Sequence, residues 1–381
     1  MKYVKLNNLF DFLPKSKIKA GDGLRKGRYP FYSSSENQSK YLDEYLYEPG
    51  CLVFGTGGKA SVHFTISYFS TSTDCITIKP KSNVNIDAGY VYQYFKGNMH
   101  VLESGFKGAG LKHISKVYLS DIQIPHPEKI DDQIRIATLL SKVENLIFRR
   151  REQLKQLDEL LKSIFLEMFG DPVRNEKGWE MKRMDEISDS RLGKMRDKKF
   201  ITGNHLRKYI GNSNVQWFRF KLDDLEEMDF DERERALFGL KNGDLLICEG
   251  GDIGRCAIWR NNLTECYFQK AIHRVRLYQS QAIPEYVQYV MMFFSLYNGF
   301  KNVTCKSTIA HLTGEKLKET LIPVPPLELQ NRFAAIVTKV ESAKDHYIKS
   351  LNNLEFLYNA VSQKAFKGEL DLSLVPLVKE E

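Results

Sequence analysis

Apolar residues recur every three or four positions between Ile136 and Met168. Ile136, Leu140, Val143, Ile147, Arg150, Leu154, Leu157, Leu161, Ile164 and Met168 alternate steps of four and three, with only Arg150 breaking the apolar run. Such a stripe is the seam of a coiled coil. A second stripe follows the same phase through Phe333, Val337, Val340, Lys344, Tyr347, Leu351, Leu354, Tyr358, Val361 and Ala365. The first predicts a helix over 131–168, 38 residues long, or about 57 Å at 1.5 Å per residue. Pro125 and Pro127 block helix upstream, and Gly170-Asp171-Pro172 stops it. Pro323, Pro325 and Pro326 open the second copy. Two amphipathic helices of this length point to a mutual pair, parallel or antiparallel. The first helix ends just before new globular sequence begins, and the second returns after it. That order favours the antiparallel arrangement.

The flanking sequence repeats as well. Ile124-Pro125-His126-Pro127 is echoed by Ile322-Pro323-Val324-Pro325, and Gln133-Ile134-Arg135-Ile136-Ala137 matches Gln330-Asn331-Arg332-Phe333-Ala334 at an offset of 197. Phe169 and Phe366 close the two helices at that same offset. Upstream, Glu48–Gly58 aligns with Lys241–Gly251: a turn, a short apolar strand, then a Gly-Gly turn. Tyr90–Tyr94 parallels Tyr286–Val290, both read as helix. Short β runs at Ser61–Ser67, Cys75–Lys79, Cys256–Trp259 and His273–Tyr278 make each remaining segment a mixed α+β domain.

Composition changes the picture mainly through charge. Lys and Arg number 56 against 48 Asp and Glu, for a net of +8. The net is +6 in 1–125, zero in 126–178, +3 in 179–323 and −1 in 324–381. Two basic segments thus alternate with two neutral helices, which points to a polyanionic partner. Cys51, Cys75, Cys248, Cys256, Cys266 and Cys305 form no C-x-x-C pair and are expected to be reduced thiols, not metal ligands. The N-terminus lacks the apolar core of a signal peptide, and the apolar stretch Tyr286–Tyr297 is too short to span a bilayer. A cytoplasmic protein with no membrane partner is expected.

The order domain, helix, domain, helix, with I-P-x-P and Q-x-R-x-A opening each helix and F-x-G closing it, resembles the specificity subunit of type I restriction-modification enzymes. Tyr29-Pro30-Phe31-Tyr32-Ser33-Ser34-Ser35 and the Gly-Gly turns also fit that family. The resemblance implies an α+β fold: two globular target-recognition domains separated by two long, antiparallel coiled-coil helices, a pseudo-twofold internal repeat. The first recognition domain is expected at 1–125 and the first spacer helix at 126–171. The second domain, with a short leading linker, follows at 172–323, the second helix at 324–370 and a tail at 371–381. It further implies that the chain does no chemistry. Each domain would read one half of a split, asymmetric sequence in double-stranded DNA. The helices would dock two adenine-N6 methyltransferase subunits, and restriction/translocase subunits would join for cleavage. S-adenosylmethionine, ATP and Mg would sit on those partners, leaving this chain without a cofactor or metal.

Lys and Arg supply most phosphate contacts, while a few side chains read base edges. Candidates for DNA contact are those near the Gly-rich turns and the matched loops. They are Ser33, Ser34, Lys59, Lys107 and Lys112 in the first domain, and Arg255, Lys270, Arg274, Lys301 and Lys306 in the second. Lys107 pairs with Lys301, and Lys112 with Lys306, in the repeat. The helix-pair seam is assigned to Ile136, Leu140, Val143, Ile147, Leu154, Leu157, Leu161 and Ile164. Its partners are Val337, Val340, Leu351, Leu354, Tyr358 and Val361.

Two other classes compete. A self-sufficient methyltransferase would use Phe106-Lys107-Gly108-Ala109-Gly110 as a methyl-donor loop. That loop needs a doubly wound sheet and an Asn/Asp-Pro-Pro-aromatic motif, and the sequence contains no such tetrapeptide. A nuclease would use Asp171 with Glu180 and Lys182, which straddle a helix stop and a linker. No G-x-x-x-x-G-K-[ST] loop is present. A purely structural coiled-coil adaptor would explain the helices and leave the basic domains idle. His63, His100, His113, His205, His273 and His311 lack metal spacing and are read as ordinary surface or core residues.

Overall fold

The computed structural model describes residues 1–108, 110, 112–195, 203–260, 262–301 and 311–377. It divides into two compact units, Met1–Glu152 with Tyr347–Glu381, and Gln153–His346. Each unit takes one globular domain and half of each long helix.

In the first unit the order is β1 (Lys2–Lys5), α1 (Leu6–Leu9), β2 (Phe10–Phe12), β3 (Tyr29–Tyr32), β4 (Lys40–Leu42), β5 (Cys51–Gly55), β6 (Ser61–Thr65), β7 (Ser70–Thr71) and β8 (Cys75–Pro80). Then come α2 (Ala88–Gly97), α3 (Met99–Glu103), β9 (Phe106–Lys107), β10 (His113–Ile114), α4 (Lys116–Asp121), β11 (Gln123–His126) and the long α5 (Ile130–Phe169). The second unit holds β12 (Glu180–Arg183), α6 (Met184–Ile187), β13 (Ser188–Leu192), β14 (Leu206–Ile210), β15 (Val215–Gln216), β16 (Arg219–Phe220), β17 (Glu227–Asp229) and α7 (Glu232–Phe238). It continues with β18 (Leu245–Cys248), β19 (Cys256–Ile258), β20 (Tyr267–Phe268), β21 (Ile272–Leu277), α8 (Pro284–Leu296), α9 (Gly314–Glu319), β22 (Leu321–Val324) and α10 (Leu327–Lys367).

The sheets show that the domain is duplicated. The first unit carries a four-stranded sheet β2-β8-β5-β6 and a three-stranded sheet β4-β3-β7. The second carries β13-β21-β18-β19 and β17-β14-β20. All pairs in the larger sheets are antiparallel, and β3-β7 and β14-β20 are the matching parallel pairs. In both units a two-stranded ladder, β1-β11 or β12-β22, ties the domain's first strand to the strand carrying the I-P motif.

That motif has a packing reason. Gln133 is fully buried; its amide accepts from the Asp87 N–H at 2.9 Å and donates to the carbonyls of Asn85 (3.2 Å) and Pro127 (2.9 Å). Gln330 repeats the arrangement with Ile283 N–H (3.1 Å), Gln281 O (3.3 Å) and Pro325 O (2.8 Å). The proline-bounded turn leaves backbone groups that water cannot reach, and one buried amide satisfies them. The tyrosine hydroxyls of Tyr90 and Tyr286 donate to Pro125 O and Pro323 O in the same way.

The helices pair antiparallel within each unit. In the first, Ile136 and Leu140 share a core with Ala365 and Phe366, while Arg150 lies 4.3 Å from the Tyr347 ring centroid and Arg151 reaches Glu355 at 2.6 Å. In the second, Lys344 bridges Asp158 at 2.7 Å and Glu341 at 2.8 Å, while Phe333 packs on Phe165 and Phe169. The two polar breaks in the seams are thereby used: Arg150 stacks on an aromatic face, and Lys344 neutralises two carboxylates. Seam positions Ile136, Leu140, Val143 and Leu161 are buried. Ile147, Leu154, Leu157, Ile164, Val337, Val340, Leu351, Leu354, Tyr358 and Val361 are half-buried.

Phe165 and Phe169 close the second unit's core against Tyr286, and Phe366 does the same on Tyr90 and Tyr94 in the first. The apolar stretch Tyr286–Tyr297 lies mostly in α8, whose residues Tyr286–Phe294 are all buried. Among the described residues no helix is long and apolar enough to cross a membrane.

Candidate nucleic-acid interface

The β5–β6 turn, Gly55-Thr56-Gly57-Gly58, gathers the first domain's candidates. Ser34 Oγ donates to Asp74 O at 2.6 Å and accepts from the N–H groups of Thr56 (3.0 Å) and Gly57 (3.2 Å). The β9-β10 hairpin closes over the other side. Ile114 N–H donates to Thr56 O at 3.1 Å, and His113 Nδ1 donates to the same oxygen at 3.1 Å. A Cβ on Gly57 would stand 3.2 Å from the His113 ring, so any side chain there would press on that ring. Lys107 sits directly opposite His113 in the hairpin, and Lys112 precedes it. Lys59 follows the turn with 82% of its side chain exposed, 3.7 Å from Glu36. Ser33 is half-buried beside Ser34.

The second unit builds the same frame with different residues. After β18 the turn reads Glu249-Gly250-Gly251-Asp252. Leu312 N–H donates to Glu249 O at 2.8 Å, and a Cβ on Gly250 would meet the His311 ring at 2.9 Å. Asn212 Nδ2 reaches Gly250 O at 3.5 Å, on the side Ser34 takes in the first unit. Trp217 Nε1 donates to Asp252 Oδ2 at 2.7 Å. Glu249 N–H bonds Ala271 O, which brings exposed Lys270 beside the turn. The Phe300 ring lies against Gly254, which brings exposed Lys301 there too.

Arg274 is corrected by its surroundings, and two other candidates are engaged within the protein. Arg274 has only 3% of its side chain exposed; it donates to Asp189 at 2.7 Å and to Leu237 O at 3.2 Å, inside the sheet. Ser34 spends its hydroxyl on the turn backbone. Arg255 donates to Asn212 O at 2.9 Å and is half-buried, so it too braces the turn. Lys306 lies outside the described residues, as does Cys305. By contrast, Lys107, Lys112, Lys270 and Lys301 are exposed and form no ion pair among the described residues. His113, read from sequence as an ordinary surface or core residue, bonds the first turn, and the His311 ring lies against Gly250 in the second. Their spacing is one residue from the offset relating the helices, and that was the available signal.

The His113 clamp is testable. His113→Ala should loosen the first turn and cost the first unit much of its contact with a nucleic acid. His113→Asn, which keeps a donor for Thr56 O, should restore most of it. Equal loss in both variants, measured by DNA binding, would place the histidine's role elsewhere.

Burial pushes the thiols of Cys51 and Cys75 up to about 11 and that of Cys266 up to about 12, away from thiolate reactivity. No group of three His, Cys, Asp or Glu could hold a metal ion among the described residues. Phe106-Lys107 belongs to a two-residue antiparallel hairpin, not to a strand of a doubly wound sheet. Asp171 accepts from the N–H of Val173, whereas Glu180 and Lys182 lie on β12.

The family model for the type I restriction modification DNA specificity domain matches residues 1–157 and 176–355. The chain belongs to that family. The MjaIX specificity subunit of Methanocaldococcus jannaschii is 23% identical over 77% of this chain and 71% of its own length. The EcoDI specificity subunit of Escherichia coli is 21% identical over 97% and 88%. The S subunit of the M. genitalium type I restriction-modification system shares the fold, with a TM-score of 0.63, 15% identity and 96% of each chain covered. A chain solved in a study of complex assembly in the type I R-M system has a TM-score of 0.56, 17% identity and coverage of 97% and 98%. The chain is thus a specificity subunit, the non-catalytic component that recognises DNA sequence and assembles with the other subunits of its system. The clamped Gly-Gly turns belong to its two recognition domains.

Proposed function

We propose that this specificity subunit reads a bipartite, asymmetric target in double-stranded DNA, one half-site per unit. The observation that carries this is the turn built twice on one frame with unlike residues. Thr56 and Lys59 in the first turn correspond to Glu249 and Asp252 in the second, and Ser34 to Asn212. A shared frame places both turns for the same task. A cation exchanged for a carboxylate at one position requires different base edges, because a carboxylate accepts from cytosine amino groups and a lysine donates to guanine. Lys107, Lys112, Lys270 and Lys301 supply phosphate contacts in this reading.

The long helices scaffold two adenine-N6 methyltransferase subunits. Leu160 and Leu357, equivalent in the repeat, are 47% and 45% exposed, and Phe356 is 76% exposed; apolar faces of this kind suit a protein partner. Restriction/translocase subunits complete the complex in the cytoplasm, and S-adenosylmethionine, ATP and Mg are carried by the partners.

The test is a methylome of cells expressing the chain with its methyltransferase. N6-methyladenine in two unlike half-sites at a constant gap is expected. A palindromic motif, or methyl transfer by the purified chain alone, would overturn the reading. Lys107→Ala with Lys301→Ala should lower the slope of log affinity against log salt by about one to two, if each lysine meets a phosphate. An unaltered slope would return both to ordinary surface charges.

A further inference from the structure

The segment between β2 and β3 carries most of the first domain's excess charge. Residues 14–28 hold Lys15, Lys17, Lys19, Arg25, Lys26 and Arg28 against a single acid, Asp22. All six cations are exposed, and none forms an ion pair among the described residues, where the first-domain pairs involve Lys5, Lys59, Lys79 and Lys96.

The backbone beneath them is pinned. Leu24 and Tyr41 exchange two backbone hydrogen bonds of 2.9 Å, Lys40 Nζ donates to Ala20 O at 2.6 Å, and Arg28 N–H donates to Asp43 Oδ1 at 3.3 Å. Asp22, the one acid, is occupied in accepting Lys19 N–H at 2.9 Å. Ser16 is buried and Ile18 half-buried, so Lys15, Lys17 and Lys19 alternate outward. At about 3.3 Å per extended residue they span roughly 13 Å, about four phosphates at 3.4 Å of axial rise on one strand.

The segment also runs from the recognition turn outward. Ile18 O accepts from Thr73 N–H at 2.8 Å, and the adjacent Asp74 O holds both Ser34 Oγ and Thr56 N–H. Its other end enters β3 at Tyr29, five residues before Ser34, or about 17 Å of extended chain. There Arg28 stands 5.3 Å from the Tyr29 ring centroid, in a row continued by Tyr45 and Tyr68 at 5.1 and 4.5 Å between rings. Tyr45 and Tyr68 are exposed.

We propose that Lys15–Arg28 is a second DNA contact of the first domain, a phosphate-backbone track. It would hold about four base pairs of duplex, at 3.4 Å each, to one side of the half-site read at the Gly55–Gly58 turn. This rests on the reading of that turn as a base-reading element. A spread of exposed cations without ion pairs among the described residues, on a fixed backbone, fits a uniform polyanion. An acidic protein surface would call for a more focal match.

The experiment uses the chain assembled with its methyltransferase subunits and two triple variants, Lys15→Gln/Lys17→Gln/Lys19→Gln and Arg25→Gln/Lys26→Gln/Arg28→Gln. Affinity for a target duplex is measured against salt, with long and trimmed flanks, alongside the methylome. Each triple should lower the salt slope by about two to three and leave the methylated sequence unchanged. Trimming the flank should weaken the wild type and do little further to the variants. Wild-type slopes in both triples would overturn the proposal. So would loss of methyltransferase co-purification with DNA affinity intact, which would make the segment a protein-docking surface. A wild-type complex without any sequence preference would instead sink the reading of the turns.

Discussion

Inserting four helix-forming residues between Leu154 and Leu161 should widen the gap between the two methylated half-sites by about one base pair, two at most. The helix α5 runs unbroken from Ile130 to Phe169, with its first part in one compact unit and the rest in the other. Four residues lengthen a helix by about 6 Å and rotate it by about 400°, a net of roughly 40°. One base pair of B-DNA turns by about 35°, so the added rotation is close to one base-pair step. A two-residue insertion rotates the helix by about 200° and should abolish recognition. Methylomes of the two variants decide the matter. The original gap in the four-residue variant, or full activity in the two-residue one, would show that α5 does not set the half-site distance.

Phe165→Ala should destabilise the second unit by about 3–5 kcal/mol. Its side chain is fully buried. Its ring lies within 5.0–5.8 Å of Phe169, Tyr286, Tyr289, Phe293 and Phe333. Truncation would open a cavity where α5, α8 and α10 meet. For a unit of this size that is a fall in melting temperature of roughly 10 °C or more, with proteolysis concentrating within 153–346. An unchanged melting curve would mean that the cluster is not what closes this core. The first unit makes the same contact differently. Ser362 and Gly97 occupy the positions of Phe165 and Phe293, and any Cβ at Gly97 would collide with the Ser362 hydroxyl. One unit is closed by close backbone approach and the other by stacked rings.

The sequence alone determined the elements and their duplication. Heptad spacing is a local property, so the seams of α5 and α10 were legible without neighbours, down to their polar breaks at Arg150 and Lys344. The repeated I-P-x-P, Gln and Phe signals marked positions whose reason is packing: Gln133 and Gln330 satisfy buried backbone groups, and Phe169 and Phe366 cap the cores. Those same signals were enough to name the family. The recognition surface was different, because an exposed cation and a buried one are the same letter. Only tertiary structure separated Arg274, held inside the sheet by Asp189, from exposed Lys107 and Lys301, which form no ion pair among the described residues. Only it brought His113 across more than fifty residues of chain onto Thr56, and showed that Ser34 holds the turn with its own hydroxyl. The basic segment Lys15–Arg28 was visible as composition. Its meaning came from the hydrogen bonds that pin its backbone and turn six charges outward, since periodicity is written along the chain and a charge's partners are set by what folding places beside it.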